Sequence, residues 1–178
     1  MRRRIFLATM LSASALHAQG DVMELRANWN YVADTVMGGV STGQVTQERD
    51  DGREIARLTG RVSLDNNGGF IQMAFDLRED GLALDASDWT GVEIDVRGNG
   101  EVYDLRLRTN QLTRPWQSFR IKFLASSEWT THRFSFAQMM SHRTEAKFDP
   151  KGLRRIGILA IGREFAADVA VSGIRLYR

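Results

Sequence analysis

The sequence predicts an all-β domain, a two-sheet β-sandwich or jelly roll, from three observations. Apolar and polar residues alternate at every second position along much of the chain after residue 19, as strands with one buried face require. Glycine- and asparagine-rich turn sequences separate these segments. Amphipathic helical periodicity is almost absent. Many short strands joined by such turns are typical of sandwiches and jelly rolls.

The predicted strands can be placed along the chain by the apolar half of the alternation. These apolar positions are Leu58, Val62 and Leu64; Ile71, Met73 and Phe75; Val92, Ile94 and Val96; Tyr103, Leu105 and Leu107; Phe119, Ile121 and Phe123; and His132, Phe134 and Phe136. Residues 156–161 are a continuous apolar run, which predicts a strand covered on both faces. The pattern of the last strand slips by one residue around Gly173, which predicts a β-bulge.

Turn and helix signals complete the secondary structure. Turns are predicted at residues 50–52, 66–69 and 98–100, where Asp, Asn and Gly favour positive φ. Only residues 136–142 and 149–152 have sequences suited to short helical turns. We find no internal repeat and no linker, so the strands form one domain.

The N-terminus predicts a signal peptide. Arg2, Arg3 and Arg4 precede a short apolar stretch over residues 5–16, and Ala13-Ser14-Ala15 or Ala18 offers a small-residue cleavage site. The apolar stretch is too short to span a bilayer as a stable helix. We therefore expect a signal peptide over residues 1–18, a single domain over 19–178, and export to the periplasm. The arginines also resemble a twin-arginine export signal, which leaves the export route open.

Composition excludes several function classes. The 178 residues contain no cysteine, which rules out thiol catalysis and cysteine-ligated zinc or iron–sulfur centres. Removing Arg2, Arg3 and Arg4 from the 24 basic residues leaves 21 against 22 acidic ones, so the mature domain is nearly neutral. Nucleic acid is therefore not an expected partner, and the mature chain has no apparent membrane span.

Four stretches carry a resemblance to a known family. They are residues 30–41, with Asp-Thr-Val-Met-Gly-Gly-Val-Ser; residues 59–70, with Asn-Asn-Gly-Gly-Phe; residues 89–108; and residues 156–159. Together they resemble the complex I intermediate-associated protein 30 family from about residue 29 to 177. The resemblance implies a galactose-binding-like β-sandwich and an assembly-factor role at respiratory complex I. Mitochondrial relatives act on the matrix side, whereas a signal peptide would place this chain on the opposite side of the membrane.

The motif loops of that family have two interpretations each. The first loop includes Asp34, Met37, Gly38, Gly39 and Ser41. Its glycines could bring backbone N–H groups close to a ligand, but we favour a structural turn in which Asp34 is a cap and Met37 fills a core gap. The second loop includes Asn66, Asn67, Gly68, Gly69 and Phe70. Its oxygens suit a hard cation, but we favour a hairpin turn and expect no metal.

A ladder of charged residues faces away from the predicted core. The candidate partner face consists of Asp95, Arg97, Tyr103, Asp104, Arg106, Arg108, Trp116, Arg120, Lys122 and Arg133. If the strands share one sheet, this face is either a solvated surface of cross-strand ion pairs or a binding face for a protein or glycan. The number of arginines is the argument for binding, since guanidinium groups make bidentate hydrogen bonds to carboxylates, and the two interpretations stay open. Trp116 or Tyr103 could stack on a sugar ring.

No grouping of catalytic residues is apparent in the mature chain. His132 falls at a core-facing position and His142 lies beside Arg143 in a polar segment. We therefore expect a non-enzymatic protein with no cofactor, which binds a protein partner and resembles an assembly factor. The alternative is an exported carbohydrate-binding module that uses the polar face of one sheet.

Overall fold

The structure, a computed structural model, describes residues 21–178, so the predicted signal peptide over residues 1–18 lies outside the described residues. The prediction of an all-β sandwich is confirmed. In chain order the strands are β1 Val22–Glu24, β2 Asn30–Ala33, β3 Thr42–Asp50, β4 Arg53–Val62, β5 Phe70–Asp76, β6 Gly91–Gly98, β7 Glu101–Thr109, β8 Ser118–Ala125, β9 Thr130–Ser135, β10 Met140–His142, β11 Leu153–Ile161 and β12 Phe165–Tyr177.

These strands form two antiparallel sheets of six strands each. The first sheet has the order β3-β4-β12-β6-β9, with β1 also paired to β12. The second sheet has the order β10-β8-β7-β11-β5-β2. Because consecutive strands often lie in different sheets, residues far apart in the chain become neighbours on each face.

The apolar half of the alternation fills the space between the sheets. Leu58 and Ile94 come from the first sheet, and Phe75, Leu105 and Phe119 come from the second; all are at most 1% exposed. Fully burying side chains of this size contributes about 1.5–3 kcal/mol each before entropy is subtracted. The alternate positions on the same strands therefore point outward and carry the polar residues.

Two finer predictions about strands are confirmed. Residues 156–160 of β11 are all buried, including Leu159 on the outer side of the strand at 3% exposed, as the continuous apolar run predicts. The register between β12 and β6 shifts between Val171 and Gly173, which is the predicted bulge.

The local turn predictions hold less well. Short 3-10 helices occur at Phe136–Gln138 and Pro150–Gly152 as predicted, but Met140–His142 forms a strand paired with β8. Two further 3-10 helices, Asp34–Met37 and Asp65–Asn67, were not predicted. Segments of three or four residues are too short to show a period, so their conformation follows from long-range contacts.

Residues 66–69 make a turn between the two sheets and not the hairpin that was predicted. Asn66 and Asn67 have φ values of 54° and 59°, as the turn chemistry requires. However, β4 belongs to the first sheet and β5 to the second.

Within residues 21–178, no helix is long and apolar enough to cross a membrane.

Candidate binding face

The charged ladder predicted from the sequence is divided between the two sheets, so the expectation of a single face is wrong. Asp95 and Arg97 lie on β6 and Arg133 on β9, in the first sheet. The members on β7 and β8 of the second sheet are Asp104, Arg106, Arg108, Arg120 and Lys122. The two groups point to opposite sides of the sandwich, because the turn at residues 98–100 leads from one sheet to the other.

On the first sheet the ladder charges are paired with other charged side chains of the same sheet. Glu93 accepts hydrogen bonds from the guanidinium groups of Arg133 and Arg175, and Arg175 also lies 2.9 Å from Asp95. Burial alone would raise the pKa of Glu93, but the hydrogen bonds from the two arginines outweigh it and hold the pKa below its ordinary value. This network corresponds to the interpretation as cross-strand ion pairs.

Arg97, the remaining ladder cation on the first sheet, is also engaged within the fold. Its guanidinium lies 2.5 Å from Asp50 and 5.2 Å from the centroid of the Trp129 ring. Arg53 approaches the same ring at 5.3 Å. These contacts occupy the side chain within the domain.

The outer face of the second sheet carries more cations than carboxylates. We call it the arginine face and define it by Asp76, Asp104, Arg106, Arg108, Arg120, Lys122 and Arg155, which the strand registers place on one side of β5, β11, β7 and β8. Asp104 is shared between Arg106 at 3.2 Å and Arg120 at 3.7 Å. Arg155 lies 3.7 Å from Asp76. The face thus has two carboxylates for five cationic side chains.

Arg106 is the centre of the arginine face. Its side chain is only 12% exposed, and that of Asp104 only 3%. Burial lowers the pKa of Arg106, and the charges of Arg120 and Arg143 lower it further, against the attraction of Asp104. A guanidinium remains protonated in proteins, so the positive potential of this cluster is not relieved by loss of a proton.

His142 adjoins this cluster from the edge strand β10. Burial lowers its pKa, and the charges of Arg106, Arg120 and Arg143 lower it further, against Asp104. No motif or alternation in the sequence indicates a role for His142 or Arg143. The only available signal was that they adjoin one another, because a three-residue strand has no readable alternation.

Trp116 is held at one end of the arginine face by Arg108. The Arg108 guanidinium donates hydrogen bonds to the carbonyl oxygens of Pro115 at 2.5 Å and of Arg114 at 3.1 Å. Trp116 follows directly and is 49% exposed. Arg108 therefore fixes the loop between β7 and β8 and with it the position of the indole ring.

Exposed apolar side chains accompany the cations on this side of the sandwich. Val102 and Leu124 are paired across β7 and β8 and are 43% and 51% exposed. Met140 on β10 lies opposite Arg120 and is 57% exposed. With Trp116, these residues make the surroundings of the arginines apolar as well as positive.

Tyr103 does not belong to the candidate face, contrary to the prediction. It is fully buried in the core, where its hydroxyl donates to Asn99 Oδ1 at 2.8 Å and accepts from the Asp168 backbone N–H at 2.9 Å. Burial raises the pKa of Tyr103 to about 12. Its place in the apolar half of the alternation already indicated an inward direction, so it cannot stack on a ligand at the surface.

Asp34 ties the two motif loops together. Its carboxylate is fully buried and accepts hydrogen bonds from the backbone N–H groups of Ser41 at 3.0 Å, Gly69 at 2.6 Å and Phe70 at 3.2 Å, and from the Ser41 hydroxyl. Burial alone would raise the pKa of Asp34, but these hydrogen bonds lower it below its ordinary value. We call this arrangement the Asp34 clamp.

Two of the motif glycines are required by the close approach of this carboxylate. A Cβ atom at Gly39 would lie 2.4 Å from Asp34 Oδ1, and one at Gly68 would lie 2.7 Å from Asp34 Oδ2. Any larger residue at either position would displace the buried carboxylate.

Other motif residues lie at the surface. Met37 is 58% exposed and does not fill a core gap as expected, because the 3-10 helix turns its side chain outward. Val36, Val40 and Leu64 nearby are also exposed. In the part of the chain that the structure describes, no three His, Cys, Asp or Glu side chains are placed to hold a metal ion.

His132 is a packing residue. Its ring lies 5.7 Å from that of Phe134 in a stacked arrangement and 5.5 Å from that of Phe123. Its Nε2 is 3.2 Å from the carbonyl oxygen of Leu124. The ring therefore fills the space between β9 and β8.

Solved structures similar to this one include carbohydrate-binding modules. A family 11 carbohydrate-binding module from Clostridium thermocellum, solved with a beta-1,3-1,4-mixed-linked tetrasaccharide, has a TM-score of 0.70 at 14% identity, over 88% of this chain and 95% of that one. The family 30 module of a cellulosomal cellulase from the same organism has a TM-score of 0.65 at 15% identity, over 87% and 96%. The fold is thus a galactose-binding-like jelly-roll sandwich.

A family model matches the sequence over a range that contains both motif loops. The family model described as Complex I intermediate-associated protein 30 matches residues 19–169, which include both loops of the Asp34 clamp. No curated protein sequence is similar enough to count as a match.

Proposed function

The chain belongs to the complex I intermediate-associated protein 30 family, and from this membership and the arginine face we propose that it is a non-catalytic domain that binds a protein partner. The observation that carries the proposal is the excess of arginines over carboxylates on one sheet, among exposed apolar side chains. The outer face of the other sheet supplies the internal contrast, since its ladder charges are paired.

The composition of the arginine face supports a protein partner. Protein interfaces are enriched in arginine, methionine and aromatic residues and depleted in lysine and glutamate. Arg120 lies opposite Met140 in the strand register, and Arg108 positions the half-exposed Trp116. A partner that covers these residues would bury apolar surface and satisfy guanidinium donors together.

The charge of the face indicates the chemistry of the partner surface. The cations of the face outnumber its two carboxylates, those of Asp104 and Asp76. An acidic partner surface would be attracted over distance and would find bidentate donors on contact. We therefore propose that the partner presents aspartate or glutamate side chains.

We also propose that the chain is exported, on the strength of the signal-peptide pattern in residues 1–18. Its partner would then be an envelope component, on the side of the membrane opposite to that implied for the mitochondrial relatives. A reporter that is active only in the periplasm, fused after Arg178, should be active. If the fused reporter is instead inactive and is found in the cytoplasm, the result favours a role at complex I on the cytoplasmic side.

Oxidative footprinting of two methionines tests the proposed surface. Met140 on the arginine face and Met37 in the first motif loop are 57% and 58% exposed, so they are a matched pair in the free protein. After capture of partners from envelope fractions, we expect the rate of Met140 oxidation to fall severalfold and that of Met37 to stay unchanged. Mass spectrometry of the peptides measures both rates in one sample.

The same measurement can contradict the proposal. Protection of Met37 with Met140 still reactive would place the partner on the motif loops. Equal reactivity of both methionines with a bound partner would place it elsewhere on the sandwich. If no partner is captured above background in several conditions, the proposed protein-binding function is wrong.

A second candidate function is carbohydrate binding. It is favoured by the jelly-roll fold shared with the solved carbohydrate-binding modules and by Trp116, which is half-exposed at the end of a polar sheet face. Indole rings stack on sugar rings, and arginine side chains donate hydrogen bonds to sugar hydroxyls.

Calorimetry with a beta-1,3-1,4-mixed-linked tetrasaccharide, the sugar solved with the family 11 module, tests this candidate. If the face binds glycans, millimolar tetrasaccharide should give a saturable heat, and Trp116→Ala should weaken binding about tenfold because it removes the stacking platform. Trp89→Ala, a partly buried tryptophan outside the face, is the control. Absence of heat with this sugar and with a panel of other oligosaccharides would contradict the hypothesis that the domain binds carbohydrate.

A further inference from the structure

One corner of the arginine face combines several unused hydrogen-bond donors. Arg106 on β7 lies opposite Arg120 on β8, and His142 on β10 lies opposite Ser118, two residues before Arg120. Arg143 follows His142 directly. Strand pairing thus brings side chains from three strands to one place, without any motif in the sequence.

Within the described residues, the polar groups of this corner are under-satisfied. Ser118 is 3% exposed, and its Oγ is buried with no hydrogen-bond partner. Three guanidinium groups carry five N–H donors each, and the carboxylate among them is that of Asp104. The guanidinium donors that Asp104 does not satisfy are therefore open to an acceptor supplied from outside.

We propose that Arg106, Arg120, Arg143 and His142 form a preformed subsite for carboxylate side chains of an acidic protein segment. The proposal rests on the protein-binding function proposed above and specifies which group of the partner the face recognises. The three guanidinium groups and the carboxylate of Asp104 together carry a net positive charge. More than one partner carboxylate is needed to neutralise it. Planar guanidinium and carboxylate groups match in bidentate geometry, which favours carboxylates over single hydroxyl groups.

The electrostatics of His142 give the subsite a pH dependence. The charged groups that face His142 are Arg120 from β8, Arg106 and Asp104 from β7, and Arg143 from the segment after β10. In the free protein burial, and then the guanidiniums, keep the pKa of His142 below its ordinary value, so the ring is neutral at neutral pH. Bound carboxylates reduce the positive charge around the ring and so favour the imidazolium more than the free protein does.

The sign of the effect follows from this change. Because the pKa of His142 is higher in the complex than in the free protein, binding takes up a proton. Affinity is therefore greatest below the pKa of the free ring and decreases as the pH rises through the pKa of the bound ring. Glutamate side chains, with an ordinary pKa of about 4.3, remain ionised at the pH values at which binding is compared below.

The test is a titration of the whole domain with tetraglutamate peptide, followed by the NMR signals of the His142 imidazole at several pH values. Tetraglutamine is the uncharged control, and glucuronate represents a sugar carboxylate. We expect tetraglutamate to raise the pKa of His142 and to bind more tightly at pH 5.5 than at pH 7.5. Replacing His142 by glutamine should remove most of this pH dependence.

A pair of arginine variants separates the subsite from general electrostatics. Arg143 has a φ of 56°, which asparagine tolerates, so Arg143→Asn removes the charge without straining the backbone. We expect it to weaken tetraglutamate binding about tenfold. Arg61→Gln, at an exposed arginine on the first sheet, should leave binding unchanged.

Three results would overturn the proposal. If saturating tetraglutamate leaves the His142 signals unchanged, the subsite is wrong, whereas a protected Met140 in the footprinting experiment would still support partner binding. Equal loss in the two arginine variants would mean that only the overall charge matters. Tighter binding of glucuronate than of tetraglutamate would reassign the subsite to an acidic glycan.

Discussion

Replacing Asp34 by alanine should lower the free energy of unfolding by about 3–5 kcal/mol, the largest effect of any single polar substitution we expect in this domain. The carboxylate is fully buried and accepts from three backbone N–H groups and one hydroxyl. Its removal leaves these donors without partners in a place that water does not reach. Urea denaturation followed by tryptophan fluorescence measures the loss.

Asp65→Ala is the matched control for this substitution. Asp65 is an exposed carboxylate in the second motif loop, only a few residues from the groups that Asp34 binds. Its replacement should change the stability by less than about 0.5 kcal/mol. If the two variants unfold at similar denaturant concentrations, the Asp34 clamp does not stabilise the domain as we argue.

The Asp34 clamp also has a pH signature. The folded carboxyl has a pKa below its ordinary value, so the unfolded chain binds the proton first as the pH falls. The stabilisation is therefore complete above about pH 4 and is lost as the pH drops through the lowered pKa. Asp34→Asn should be less stable than the wild type at neutral pH and should lose less stability on acidification.

Reversing the charge of Arg120 should weaken partner binding about a hundredfold. The Arg120 side chain is 32% exposed and shares Asp104 with the more buried Arg106. Arg120→Glu places a second carboxylate beside Asp104 and so repels an acidic partner at the point where we expect its carboxylates. Surface plasmon resonance against the captured partner measures the change.

Arg61→Glu is the control for this reversal. Arg61 is an exposed arginine on the outer face of the first sheet, so the substitution has the same effect on net charge. We expect the partner to bind this variant as it binds the wild type, and both variants should keep the wild-type circular dichroism spectrum. Equal weakening by the two reversals would mean that the partner responds to total charge and not to the arginine face.

The division of the ladder shows where sequence reasoning succeeds and fails. The alternation correctly separated Leu105 and Leu107, which are buried, from Arg106 and Arg108, which point outward. It could not say which sheet each strand joins, because a period of two is the same in every sheet. Only the pairing of β6 with β12 and of β7 with β11 decided that Asp95 and Arg106 lie on opposite sides.

The motif loops show the same division at shorter range. The sequence identified both loops and the residue types that turns require. That Asp34 bridges them depends on hydrogen bonds to Gly69 and Phe70, which are 35 and 36 residues away in the chain. No local pattern encodes such a contact, and neither does it encode the outward direction of Met37.

The sequence by itself determined the all-β sandwich, the family and the direction in which most strand residues point, because period and turn chemistry are local properties. The tertiary structure decided which charges are neighbours. It paired those of the first sheet with one another and left the arginines of the second sheet with too few carboxylates. That outcome depends on strand order, which long-range backbone hydrogen bonding and burial of both apolar faces select for the chain as a whole.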